Sequence, residues 1–206
     1  KTTTYQPGQN IIDIKKKYGL KKVIKLASNE NPSGPSCKAL IAGKKILSSI
    51  NRYPDSKSVK LRQIIKKYLS KSYITTDNIM IGNGSNEILE FIARQFLNEK
   101  SEVLFCKHSF LVYKIISRNM RARIIESKPI MKPGLDYLSI DLDDMRSRVT
   151  NKTSVIFIAN PSNPTGTALN INKITKFIES LPKRIIIVID EAYYEYSVFQ
   201  GLKSAI

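Results

Sequence analysis

Residues 79–106 read IMIGNGSNEILEFIARQFLNEKSEVLFC. A short apolar run, 79–81, meets the turn Gly82-Asn83-Gly84. A segment of helical period follows over 85–97, with Ile88, Leu89, Ile92, Ala93 and Phe96 on one face. A second apolar run, 103–106, then begins. Strand, tight turn, helix and strand in that order predict a parallel pair joined by a crossover helix. The pattern repeats downstream, where strands are predicted over 122–126, 155–159 and 185–189, with helices over 110–119 and 171–181. Upstream, Leu61, Ile64, Ile65, Tyr68 and Leu69 share one face of a helix predicted over 56–69. The strands are apolar throughout rather than alternating, as a sheet covered on both faces requires. The fold class is therefore α/β, with a mostly parallel sheet and helices on both faces.

Composition supports a folded chain and narrows its setting. The 206 residues are 42% hydrophobic and 25% charged with only 9 Gly and 9 Pro, which excludes a disordered tail or a fibrous repeat. The longest aliphatic run, Ile185 to Ile189, is roughly a quarter of a membrane-spanning helix, and nothing near Lys1 resembles a signal sequence. Cys37 and Cys106 have neither metal-ligand spacing nor the density of a disulfide scaffold, so a cytoplasmic setting and no metal are expected. The formal charge of +17 raises the possibility of a nucleic-acid partner. The lysines are scattered, however, and the densest cluster, Lys15 to Lys25, is interleaved with Ile11, Ile12, Ile14 and Tyr18 as on an amphipathic helix with a wet outer face. We expect a solvated surface and no nucleic acid, with a non-catalytic basic binding protein as the alternative of another class. The chain opens on Lys1 and ends at Ile206 within an ordinary segment, so both ends are expected to be cut.

Three strand ends carry unusual sequences, and ligand sites of open α/β sheets form at such ends. Gly82 to Glu87 offers glycines, the Ser85 hydroxyl and a helix N-terminus, which suit a phosphate; a plain turn with Ser85 as N-cap explains the same residues. A dinucleotide fingerprint would need glycine at Glu87, and the Gly-Lys-Ser/Thr of a P-loop is absent. Residues 159–166, Ala-Asn-Pro-Ser-Asn-Pro-Thr-Gly, form a stiff loop able to present the Asn163 amide. Asp190 follows five aliphatic residues and needs a cation or a strong donor, either a bound group or, more plainly, a nearby Lys or Arg or an N-cap role. His108, the single histidine, reads as a surface or loop residue.

Taken in order, Gly84-Ser85-Asn86, Asn163-Pro164-Thr165-Gly166 and Asp190-Glu191-Ala192-Tyr193 resemble the pyridoxal-phosphate-dependent aminotransferases of fold type I. The segments Tyr5-Gln6-Pro7-Gly8, residues 26–36 (LASNENPSGPS) and Asn51-Arg52-Tyr53-Pro54-Asp55 narrow the resemblance to the histidinol-phosphate aminotransferases. The resemblance implies a three-layer α/β/α large domain over 51–206, incomplete at its C-terminus. Residues 1–50 would contribute to the substrate pocket and dimer contacts, and a C-terminal small domain would be missing. It implies pyridoxal 5'-phosphate as cofactor, with the phosphate at Gly84, Ser85 and Asn86, the pyridine nitrogen on Asp190, the phenolic oxygen on Asn163 and Tyr193, and Phe110 stacked on the ring. For Phe110 by itself, ordinary core packing is the first reading. Tyr53 would reach the partner's cofactor phosphate across a homodimer with composite active sites, and Tyr5 and Asn31 would line the substrate pocket. The implied substrates are small molecules, a phosphorylated amine (L-histidinol phosphate) and a 2-oxo acid (2-oxoglutarate). A threonine-phosphate decarboxylase or an aromatic aminotransferase is the alternative within the superfamily. The Schiff-base lysine is expected after Ile206, so no catalytic lysine is assigned within the chain, and the chain alone is expected to be inactive.

Overall fold

The computed structural model describes residues 10–206, so Tyr5 and its Gln6-Pro7-Gly8 context lie outside the described residues. The described residues form two compact units, 10–59 and 60–206.

In the first unit, α1 (Ile11–Tyr18) starts where the Asn10 side chain accepts from the Ile12 amide at 2.8 Å, and it ends at Gly19 in the left-handed region. Lys15, Lys16 and Lys17 occupy its last turn, where the helix dipole favours positive charge. The second helix, α2 (Cys37–Ile46), runs into a short 3₁₀ turn. None of the described residues of this unit is buried, and Tyr53 is fully exposed.

The second unit takes in α3 (Val59–Leu69), α4 (Gly84–Phe96), β1 (Glu102–Cys106), α5 (Leu111–Asn119), β2 (Arg123–Ser127), α6 (Leu142–Ser147), β3 (Thr153–Ala159), α7 (Ile171–Glu179), β4 (Ile186–Asp190) and α8 (Tyr194–Ser197). The strands pair in the order β2-β1-β3-β4, every pair parallel. Successive side chains of a strand point to opposite faces, and the core divides accordingly. Val103, Phe105, Val155, Phe157 and Ala159 pack with Leu89 and Ala93 of α4 and with Tyr113 and Ile116 of α5. Leu104, Cys106, Ile156 and Ile158 pack on the other face with Met145 of α6 and Ile174 and Phe177 of α7. Both faces of the sheet are thus covered, giving the three layers expected from the apolar strands. Each fully buried Phe, Ile or Leu of these layers stabilises the fold by roughly 1.5–3 kcal/mol relative to exposure.

Local readings needed three corrections. The strand expected over 79–81 does not form: the Ile79 backbone is extended, but no neighbouring strand gives the segment a ladder, and Ile79 and Ile81 are half-buried with Met80 66% exposed. At the end of α4 it is Leu97, not Phe96, that enters the core; the chain leaves the helix in an extended conformation and swings Leu97 inward, with Phe96 42% exposed. On α3 the helix begins at Val59 rather than 56, where the Asp55 carboxylate accepts from the Lys57 and Val59 amides. Its apolar stripe is real, yet Leu61, Ile64 and Tyr68 are exposed, because periodicity states which side chains share a face and not what covers it.

Candidate functional site

The order β2-β1-β3-β4 reverses direction beside β1: β2 lies on one side of it and β3, next in the chain, on the other. At such a point the loops leaving adjacent strands part in opposite directions and open a crevice at their carboxyl ends. Phe110 follows β1 and Asn163 follows β3. The β3–β4 register pairs Ala159 with Asp190, so both strands end at one level, and the ladder continues through the Asn160 amide to the Asp190 carbonyl at 2.9 Å. Ser85, Phe110, Ala159, Pro161, Asn163, Asp190, Ala192 and Tyr193 line a small cleft of about 60 Å³. Five of the residues singled out in the sequence therefore meet in one place: Ser85, Phe110, Asn163, Asp190 and Tyr193.

Ser85 enters through the turn before α4. Gly84 has φ +71°, and its amide bonds to the Gly82 carbonyl at 2.9 Å. A Cβ on Gly82 would stand 2.8 Å from Ile88 Cδ1, so the turn approaches the helix closely and a larger residue there would push the Ile88 side chain aside. The N-cap of α4 is Asn83 and makes no side-chain cap bond; Ser85 is not the cap, contrary to the plain-turn reading, but lies in the first turn together with Gly84 and Asn86. Glu87 reaches back to the Asn83 amide at 2.7 Å. The amides of a first helical turn have no partner within the helix and carry the positive end of its dipole, and among the described residues the Ser85 hydroxyl has no protein partner either.

The loop of residues 160–169 is held by its own polar groups. Asn160, 4% exposed, donates from Nδ2 to the Leu169 carbonyl at 3.1 Å and accepts from the Leu169 amide at 2.7 Å. Inside this clamp the Ser162 amide bonds to the Thr167 carbonyl and the Gly166 amide to the Ser162 carbonyl, both at 2.8 Å. Asn163 rides on this frame half-buried, and among the described residues its amide has no protein partner, so it is available to a ligand.

Asp190 has the donor it required, and it is neither Lys nor Arg. Tyr113 Oη donates to Asp190 Oδ2 at 2.7 Å, and the Ala192 amide donates to Oδ1 at 3.2 Å. No ion pair reaches Asp190 among the described residues. The N-cap of α8 is Tyr193 rather than Asp190. Burial first, and then the negative charge of Asp190, push the Tyr113 phenol well above the ordinary tyrosine range. Sequence reasoning missed Tyr113. Its signal was present in part, since a tyrosine on the buried face of α5 must find a hydrogen-bond partner. The neighbouring acid is engaged elsewhere: Glu191 accepts from Ser204 Oγ at 2.6 Å and the Ala205 amide at 2.8 Å.

Asn31 and Tyr53 belong to the first unit; Asn31 forms a local turn, accepting from the Ser33 amide at 3.0 Å. His108 is exposed on the loop between β1 and α5. Among the described residues no group of His, Cys, Asp and Glu could hold a metal ion, and no helix is long and apolar enough to cross a membrane.

The family described as Aminotransferase class I and II matches residues 21–203. The chain belongs to this family. The histidinol-phosphate aminotransferase 1 of Idiomarina loihiensis is 43% identical over 93% of the chain and 50% of its own length. The histidinol-phosphate aminotransferase of an Anaeromyxobacter species is 37% identical over 99% of the chain and 54% of its own length. The chain thus spans about half the length of these curated relatives. The crystal structure of the histidinol-phosphate aminotransferase from Sinorhizobium meliloti, in complex with pyridoxal-5'-phosphate, superposes with a TM-score of 0.82 at 22% identity, covering 96% of this chain and 51% of that one. That likeness establishes the fold type I α/β architecture for this class I and II aminotransferase chain.

Proposed function

We propose that the whole protein is a pyridoxal-phosphate-dependent aminotransferase that exchanges an amino group between L-histidinol phosphate and 2-oxoglutarate. The observation that carries this reading is the Asp190 carboxylate, fixed at the end of β4 in one cleft with Ser85, Asn163, Phe110 and Tyr193.

The donor set fits the cofactor. A phosphate requires donors and positive potential; the first turn of α4 at Gly84, Ser85 and Asn86 offers the potential, and Ser85 and Asn86 the donors, the Gly84 amide being bonded to the Gly82 carbonyl. A pyridine nitrogen that must stay protonated requires a carboxylate, and Asp190 is one whose two oxygens each have a lone pair left after Tyr113 and Ala192. A phenolic oxygen requires donors, for which the Asn163 amide and the Tyr193 hydroxyl are the candidates. The planar ring requires an aromatic or apolar cover, and Phe110 lines the cleft. When bound, pyridoxal phosphate supplies an electron sink that stabilises negative charge developing at the substrate's α-carbon. In this reading Asp190 keeps the proton on the pyridine nitrogen, which holds that sink open. Asn163 and Tyr193 orient the ring through its oxygen, the α4 turn anchors the anionic end, and Phe110 keeps water off one face.

In the same proposal Tyr53, exposed in the first unit, reaches the partner's cofactor phosphate across a homodimer, and Asn31 with Tyr5 is assigned to the substrate pocket. Two unpaired cysteines, Cys37 and Cys106, suit a cytoplasmic enzyme. The cofactor residues do not choose the substrate, so the test is a coupled assay of the whole protein with histidinol phosphate, threonine phosphate and phenylalanine. Turnover of the first with 2-oxoglutarate is expected; turnover of only one of the others refutes the substrate assignment, and no pyridoxal phosphate binding refutes the class.

A further inference from the structure

We infer that Tyr113 is a positioning residue, whose hydroxyl sets the orientation of the Asp190 carboxylate while its ring braces Phe110 across the same cleft. This rests on the cofactor reading above.

The phenol is immobilised before it meets Asp190. Tyr113 is wholly buried, and its ring lies flat on Phe157 of β3, with centroids 4.8 Å apart and 7° between planes. Phe105 of β1 meets it at 6.1 Å and 57°, and Phe110 meets it nearly edge-on at 5.9 Å and 89°. Rings on two adjacent strands and on the approach to α5 thus fix the plane and direction of the phenol, and Oη arrives 2.7 Å from Asp190 Oδ2. A phenylalanine could fill this space equally well. The hydroxyl is a buried polar atom whose single partner among the described residues is that carboxylate, so packing alone does not account for it.

On the other side of the bond, the Asp190 carboxylate is held otherwise, among the described residues, only by the Ala192 amide at 3.2 Å, a longer contact within its own loop. A carboxylate with one short-range backbone donor can turn about its side-chain torsions; a second donor from a rigid helix 77 residues away fixes both oxygens. Phe110 is bound into the same device, since the Tyr113 amide bonds to the Phe110 carbonyl at 3.1 Å in the first turn of α5. One side chain therefore relates the position of the carboxylate to that of the aromatic cover.

The test is Y113F in the whole protein, alone and combined with D190N, with pyridoxal phosphate labelled with ¹⁵N at the pyridine nitrogen. Y113F is expected to weaken cofactor binding roughly tenfold, to move the ¹⁵N resonance toward the unprotonated position, and to leave the thermal midpoint of the cofactor-free protein within a few degrees. In the D190N background the same substitution is expected to cause no further loss, because the group through which it acts is gone. Equal affinity and an unshifted resonance in Y113F overturn the inference and leave the cofactor reading intact. So does an equal loss in the presence and absence of Asp190. Failure of the wild-type protein to bind pyridoxal phosphate overturns both.

Discussion

Replacing Asn160 by alanine is a direct test of how the candidate site is held. The side chain is 4% exposed and closes the loop of residues 160–169 with two hydrogen bonds to the backbone of Leu169, itself 7% exposed. Truncation removes both bonds and leaves a buried amide and a buried carbonyl without partners, each at a cost of roughly 1–3 kcal/mol. Partial relaxation of the loop toward water offsets some of this, so a net loss of about 2–4 kcal/mol is expected from a total of roughly 5–15 kcal/mol. The comparator is Asn170, whose exposed side chain caps α7 by accepting from the Asn172 amide at 2.8 Å; its loss costs about 1 kcal/mol. Urea unfolding at an unchanged m-value measures both. Since Asn163 sits inside the clamped loop, Asn160→Ala is also expected to weaken cofactor binding, and Asn170→Ala is not. A loss at Asn160 no greater than at Asn170, with cofactor affinity preserved, would refute the clamp.

Two further outcomes follow from side chains away from the cleft. Arg148 grips Asp144 at 2.5 and 3.0 Å and holds its carboxyl below the usual range, aided by the Lys128 amide at 2.8 Å. A depressed carboxyl stabilises the fold above its unfolded pKa of about 3.9 and ceases to as pH falls through the folded value. The stability gap between wild type and Asp144→Asn should therefore be full near neutrality and close as pH drops below about 4, which denaturant titrations at successive pH values will show. Burial pushes the Cys106 thiol up, whereas Cys37 is exposed, so a thiol reagent should label Cys37 rapidly in the native protein and Cys106 only on unfolding. Peptide mapping of the labelled protein identifies the sites.

How far the sequence announces this structure depends on the range of the interaction concerned. The strands β1, β3 and β4 are short continuous apolar runs bounded by polar turns, and their lack of alternation already states that helices cover both faces. Helices α4, α5 and α7 have clear periods. Residues 79–81 have an apolar pattern too, yet a strand is a relation between two segments, and the pattern of one contains nothing about its neighbour. The exposed stripe of α3 illustrates the same gap from the helical side: Leu61, Ile64 and Tyr68 align as the period requires and still face solvent.

The candidate site divides along that line. Ser85, Asn163 and Asp190 are legible because each follows a strand or opens a helix at the edge to which parallel strands bring their carboxyl ends. Tyr113 is not legible in this way. The sequence shows that Asp190 requires a donor; that Tyr113 lies on the inner face of α5 and requires an acceptor emerges only once the helix is packed, and nothing local joins the two requirements across 77 residues. They are joined by the strand order: β3 lies between β1 and β4, so the ring of Tyr113 can rest on Phe157 of β3 while its hydroxyl reaches the end of β4. A buried polar group with no local partner thus predicts that a distant partner exists, and only the topology says which.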